Sequence, residues 1–198
     1  MDSKLLKHNS RRRALLVGAA CVASVYAGRA ALGAVDELAP TRPCADDHDA
    51  TPRQMEGPFF KPRSPERTSL LEPGVQGTRI VVTGLVLSTR CQPVSGALLD
   101  FWQCDSEGDY DNRGNRLRGH QFSDAQGRYR LDTIVPGLYP GRTRHIHVKV
   151  QAPNQPILTT QLYFPNEPHN ARDFLFQPEL LMAIAGTEGR FDFVLKIA

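Results

Sequence analysis

The feature that most restricts this chain is how often it is interrupted by turn-forming residues. Gly (16) and Pro (15) supply close to one residue in six of the 198. Beyond Arg79 they fall, together with Asp and Asn, between short apolar runs. Residues 79–87 (RIVVTGLVL) are apolar and β-branched, residues 91–96 (CQPVSG) form a turn, and residues 97–104 (ALLDFWQC) form a second apolar run. Residues 128–134 (RYRLDTI) alternate polar with apolar, as a strand with one buried face does, because successive side chains point to opposite sides. Val135-Pro136-Gly137 turns the chain, and residues 145–151, 158–164 and 190–197 supply three more strands. A single helical stretch is expected over 178–185, opened by Pro178 in its first turn. Six or seven short strands separated by turns predict an all-β chain: a single-domain, antiparallel β-sandwich with long loops and one short helix.

Charge is distributed unevenly. The formal net charge is +3, yet residues 1–33 hold six basic residues (Lys4, Lys7, Arg11, Arg12, Arg13, Arg29) against Asp2 alone, so this segment carries +5 and the remainder −2. A domain of that charge has no general electrostatic reason to bind nucleic acid. Ser10-Arg11-Arg12-Arg13 precedes 15 uncharged residues (14–28), and Ala31-Leu32-Gly33 suits cleavage after Gly33. This is the layout of an export signal, and the paired arginines resemble a twin-arginine signal, with the general secretory route as the alternative. A retained membrane anchor is the competing reading, although the apolar run is shorter than the roughly 20 residues of a spanning helix. The expected organisation is a signal peptide over 1–33, a polar N-terminal arm over 34–53 and a sandwich domain over 54–198. The expected location is periplasmic or secreted, or membrane-anchored if the signal is kept. Cleavage would remove Cys21 and leave Cys44, Cys91 and Cys104, enough for one disulfide and one thiol in an oxidising compartment. Three pairings are open. Cys44–Cys91 is preferred, because both sit in loop-like contexts while Cys104 ends an apolar strand. No Cys/His spacing suggests zinc.

The chemistry concentrates between Tyr110 and His147. On a strand, His145 and His147 project to one face and Ile146 to the other, which is the geometry of a metal-ligand pair or, on an exposed edge, of two solvated imidazoles. Tyr110 follows Gly108-Asp109, and Tyr139 lies six residues before His145. Two Tyr and two His would form an N₂O₂ set. A phenol of pKa near 10 ligates only a cation acidic enough to take its proton, which favours Fe(III) over Zn(II) or Mg(II). From spacing alone, Tyr110 reads equally as a loop aromatic and Tyr139 as a packing residue of a Pro-Gly-x-Tyr turn.

Taken in order, these segments resemble the intradiol ring-cleavage dioxygenases, the family of catechol 1,2-, protocatechuate 3,4- and hydroxyquinol dioxygenases. The resemblance runs from Thr51 to about Ile197. It is carried by Glu56-Gly57-Pro58-Phe59-Phe60, by Asp100-Phe101-Trp102-Gln103 with Gly108-Asp109-Tyr110, by Thr133-Ile134-Val135-Pro136-Gly137-Leu138-Tyr139-Pro140, and by Arg142-Thr143-Arg144-His145-Ile146-His147. Thr160-Gln161-Leu162-Tyr163-Phe164 and Arg190-Phe191-Asp192-Phe193-Val194-Leu195 complete it. It implies a prealbumin-like sandwich and a non-haem Fe(III) held by Tyr110, Tyr139, His145 and His147. It further implies a catecholic substrate and O₂ as partners, and ring opening between the two hydroxyl-bearing carbons to a cis,cis-muconate-type dicarboxylate. Tyr139 would serve as ligand and base, Arg142 would stabilise negative charge on the ring, and Gln161 would lie beside the open coordination position. Arg144 competes with Arg142 for its role. His120 and His169 read as surface residues and Trp102 as core. The chain departs from the family in having only Pro140 and Gly141 between Tyr139 and Arg142, in lacking a long helical N-terminal region, and in carrying an export signal; oligomerisation is left open. The alternative is a non-catalytic extracellular binding module of prealbumin-like fold, which residues 123–129 and 136–139 would equally suit. A hydrolase reading lacks a nucleophile motif.

Overall fold

The computed structural model describes residues 50–197. The segment expected to be an export signal (1–33) and most of the arm expected over 34–53 lie outside the described residues. Nine strands follow in order: β1 (Arg79–Ser88), β2 (Leu98–Trp102), β3 (Arg118–Phe122), β4 (Arg128–Ile134), β5 (His145–Gln151), β6 (Leu158–Tyr163), β7 (Ala183–Ala185), β8 (Glu188–Arg190) and β9 (Phe193–Leu195). One sheet has the order β4-β1-β8-β7, with β9 also pairing to β1, and the other is β3-β2-β5-β6. Pairing is antiparallel as expected, except that β1 takes both β8 and β9 as parallel neighbours.

The two sheets share one core. Val82, Val86 and Leu131 from the first are buried with Leu99, Phe101, Ile146, Val148 and Val150 from the second. Phe101 and Tyr129 meet across the gap at 5.9 Å between ring centroids. Tyr129 donates its hydroxyl hydrogen to Phe191 O at 2.8 Å, which satisfies a buried polar group inside the apolar layer. Burying this core supplies the main driving force for folding.

The helix expected over 178–185 does not form. Pro178–Leu180 is one 3₁₀ turn, and Ala183–Ala185 is a strand that pairs with β8 in an antiparallel hairpin through Gly186. Proline opens 3₁₀ and α turns alike. The apolar run that follows places Leu180 and Met182 in the core on alternate positions, a strand period. β3 was not expected, because its sequence RGHQF is polar. Of the cysteines, Cys91 is disulfide-bonded, Cys104 is a buried free thiol pushed up to about 11 by its burial, and Cys44 of the preferred pair lies outside the described residues.

Candidate metal centre

Register across the second sheet builds the site. Arg118 on β3 lies opposite Trp102 on β2, Trp102 opposite His147 on β5, and His147 opposite Gln161 on β6. These four form one row on the sheet face turned away from the core. His145, two residues before His147, shares that face, while Ile146 between them is fully buried on the other. The two imidazoles therefore share one face, and neither is solvated: His145 is 2% and His147 3% exposed.

The polar atoms of these side chains converge. His145 Nε2 lies 3.2 Å from His147 Nε2, and the Tyr110 hydroxyl lies 3.3 Å from His145 Nε2. His145 Nδ1 contacts Thr143 O at 2.6 Å. A carbonyl can only accept, so Nδ1 carries the proton and the Nε2 lone pair faces the centre. Burial pushes the His145 imidazole down to about 4, helped by the Arg142 charge and opposed by the Thr143 carbonyl. His147 is held well below its ordinary value by burial first and by the His145 and Arg142 charges next. Both shifts favour the uncharged imidazole, which keeps one ring-nitrogen lone pair free. His147 Nδ1 is buried without a hydrogen-bond partner. Trp102, expected in the core, is buried on this face instead and stacks on the His147 ring at 4.8 Å and 6°, which fixes a site imidazole.

Two loops bring the tyrosines. Gly108 and Gly137 allow their backbones to touch: a Cβ on Gly108 would lie 2.4 Å from Leu138 O, and one on Gly137 would lie 2.5 Å from Gly108 N. Asp105 O ties the loops together, accepting from Gly137 N at 2.7 Å and Gly108 N at 3.2 Å. The Tyr110 and Tyr139 rings consequently meet edge-on at 5.9 Å. Phe59 stacks on Tyr110 at 4.3 Å and 13° and meets Tyr139 edge-on at 5.3 Å. Gly57 sits over His147, so the segment 57–60 forms one wall. Burial raises the Tyr110 phenol well above its ordinary value, despite the Arg142 and Arg118 charges.

Arg142 and Gln161 belong to one network beside the histidines. Arg142 Nε pairs with Asp173 Oδ2 at 2.8 Å, and its Nη2 donates to Gln161 Oε1 at 2.6 Å. Gln161 Nε2 donates to Met55 O at 3.1 Å, and Tyr163, pushed up to about 12 by burial, donates to Gln161 Oε1 at 3.1 Å. Burial alone would raise Asp173. Hydrogen bonds from Thr143 N and Leu175 N, with Arg142, outweigh it and hold the carboxyl below its ordinary value. Arg144 is directed elsewhere, to Pro136 O and Glu167. His169 is exposed on the 3₁₀ turn Pro168–Ala171. His120 departs from the expected surface loop: it lies on β3, half-buried, with Nδ1 3.1 Å from Ser64 Oγ.

Among the described residues no group of three or more His, Cys, Asp or Glu could hold a metal ion. The convergent set is instead two neutral imidazoles and a buried phenol, with a second phenol alongside. The sequence did not single out Asp173 and Arg118, whose types and spacing carry no metal or catalytic signature, and it offered Phe59 only as part of the Glu56–Phe60 segment.

The architecture and the side chains gathered at this face define a β-sandwich protein with two histidines and two tyrosines packed together. A family model described as dioxygenase (Dioxygenase_C) matches residues 55–196, and the chain belongs to the intradiol ring-cleavage dioxygenase family. It is 28% identical over 163 residues to a catechol 1,2-dioxygenase of Pseudomonas sp. (strain EST1001), covering 69% of this chain and 54% of that protein. The chain thus spans about half the length of the curated relatives it matches. Among solved structures, it is similar to the dioxygenase domain of a dioxygenase–carbohydrate-binding protein fusion from the cellulolytic bacterium Streptomyces sp. SirexAA-E. That match has 59% identity and a TM-score of 0.73, and covers 75% of this chain and 99% of that one. It is also similar to 3-chlorocatechol 1,2-dioxygenase from Rhodococcus opacus 1CP, with 27% identity, a TM-score of 0.68 and coverage of 75% and 73%.

Proposed function

We propose that this protein is a non-haem Fe(III)-dependent intradiol dioxygenase acting on a catechol-type aromatic. The ring opens between its two hydroxyl-bearing carbons, both atoms of O₂ are incorporated, and the product is a cis,cis-muconate-type dicarboxylate. The observation that carries this reading is the convergence of His145 Nε2, His147 Nε2 and the Tyr110 hydroxyl, with Tyr139 packed beside them. The residues fit a hard trivalent cation: two neutral imidazoles offer lone pairs, and a phenol raised by burial would ionise only for a strong Lewis acid. Tyr110, Tyr139, His145 and His147 would hold it. When bound, Fe(III) would supply the Lewis acidity that ionises the phenols and the electronic coupling between catecholate and O₂.

The chain's own residues supply the rest. Tyr139, in its phenolate form, would accept one catechol proton at its phenolic oxygen and so become the neutral phenol. Arg142, anchored by Asp173 with its guanidinium beside Gln161, stabilises negative charge that develops on the ring. Gln161, fully buried and held by Met55 O, orients Arg142 and borders the reacting position. Phe59 and Trp102 keep water from the Tyr110 and His147 rings. Oxygen uptake with catechol, protocatechuate, hydroxyquinol and substituted catechols, alongside iron analysis, tests the proposal. Protein carrying stoichiometric iron that consumes no oxygen with any of them would overturn it.

We further propose that residues 1–33 direct export, preferentially by the twin-arginine route, so that the enzyme works outside the cytoplasm. The basic stretch ending at Arg13 and the uncharged run after it support this. N-terminal sequencing of the mature protein should begin at Ala34; a cytoplasmic protein beginning at Met1 would refute it.

A further inference from the structure

We propose that Arg118 is a positioning residue for Tyr110: a buried guanidinium clamps the loop carrying that phenol to the Phe59 segment stacked on it. This rests on the reading above only in treating Tyr110 as a ligand.

Arg118 is 1% exposed, among the largest fully buried side chains described. Its Nε and Nη2 donate to Asp111 O at 3.1 and 3.0 Å, and its Nη1 donates to Phe59 O at 2.6 Å. Asp111 is the residue after Tyr110, and the Phe59 ring lies flat on the Tyr110 ring. One side chain therefore fixes both the backbone that carries the phenol and the backbone that carries the ring covering it.

These hydrogen bonds run to backbone carbonyls rather than to a carboxylate. Burying a guanidinium on such partners is costly, so the arrangement calls for a role beyond charge pairing. The planar fork suits it, since a lysine has a single nitrogen and cannot span both carbonyls with the same geometry. The backbone leading into Arg118 is also constrained. Leu117 adopts φ +55 although it is a buried, branched residue, a conformation that persists only where its surroundings enforce it. That turn delivers Arg118 onto the row that continues through Trp102, His147 and Gln161. Arg67 then fixes Arg118 from behind, donating to Arg118 O from Nε at 2.9 Å and Nη2 at 2.7 Å.

Two variants, Arg118→Lys and Arg118→Met, test the clamp with readouts that do not require turnover. In metal-free protein, amide hydrogen exchange of 110–117 and of 57–61 should accelerate together, about tenfold, while β1 and β4 keep their parent rates. After loading with Fe(III), the visible tyrosinate-to-metal absorption band should shift and Fe(III) affinity should fall about tenfold. If Arg118→Lys keeps parent exchange in both segments and the parent band, the clamp is refuted. A lowered melting temperature with the parent band unchanged refutes it as well, because the residue is then merely structural. If Arg118→Met fails to fold, Arg118→Lys decides. If the parent protein never colours with Fe(III), the ligand reading fails, and the exchange data still decide whether Arg118 joins the two segments.

Discussion

Asp173→Asn removes one charge and almost no volume at the centre of the Arg142 network. Asp173 is 7% exposed as a residue, with its side chain at 1%, and the Arg142 side chain is 13% exposed. The carboxylate accepts three hydrogen bonds, from Arg142 Nε at 2.8 Å, Thr143 N at 2.9 Å and Leu175 N at 2.9 Å. The amide has one oxygen to offer in their place and leaves the guanidinium buried without its counter-ion. Breaking such a pair from one side costs ~3 kcal/mol. For a domain of this size that corresponds to a fall of ~6–12 °C in melting temperature. The pH dependence has a defined sign. The Asp173 carboxyl is lowered in the folded state, so its stabilisation is complete above the unfolded carboxylate range and is lost as pH falls through the folded value. The gap between parent and variant should thus be full at neutral pH and narrow progressively below about pH 4. Turnover should fall alongside, because Arg142 is no longer held beside Gln161. Thermal unfolding from pH 3 to 8, with oxygen-uptake kinetics, measures both effects. A loss below 1 °C at pH 7, or a gap that widens on acidification, would refute the reasoning.

Tyr139→Phe should change the visible spectrum of the iron-loaded protein and slow turnover by about 10²–10⁴; a retained parent spectrum would remove Tyr139 from the ligand set. Gly108→Ala places a Cβ 2.4 Å from Leu138 O at a residue with φ +98, and should cost about 2–3 kcal/mol in denaturant unfolding while separating the two tyrosine loops. Trp102 is the chain's one tryptophan and stacks on His147, so Fe(III) should quench intrinsic fluorescence and a chelator should restore it.

The parts of the site legible in the sequence are those whose geometry is set by strand alternation. His145-Ile146-His147 needs only a period of two to place both imidazoles on one face. Tyr110 and Tyr139 needed more, because the contact between their loops depends on Gly108 meeting Gly137, a tertiary approach that local pattern does not encode. Arg118 was illegible for a different reason. It follows Asn112-Arg113-Gly114-Asn115-Arg116, where a buried guanidinium looks like its solvated neighbours. Asp173 likewise resembles any loop carboxylate until Arg142 is brought to it. The false helix over 178–185 shows the limit for short apolar runs: Leu180, Met182 and Ile184 fit a half-buried strand, yet the run contains no turn residue before Gly186 to distinguish strand from helix.

The row of Arg118, Trp102, His147 and Gln161 draws one residue from each of four strands at the same height. Slipping β5 by one position would turn Ile146 and Val148 outward and press both imidazoles into the apolar layer. The histidine pair and the hydrophobic layer are therefore read from the same alignment. A misregistered chain would lose its fold together with its chemistry, so a stable but inert population of this kind has no structural basis. Folding itself acts as the quality check on the site, and activity recovered after refolding with saturating Fe(III) would count correctly aligned molecules.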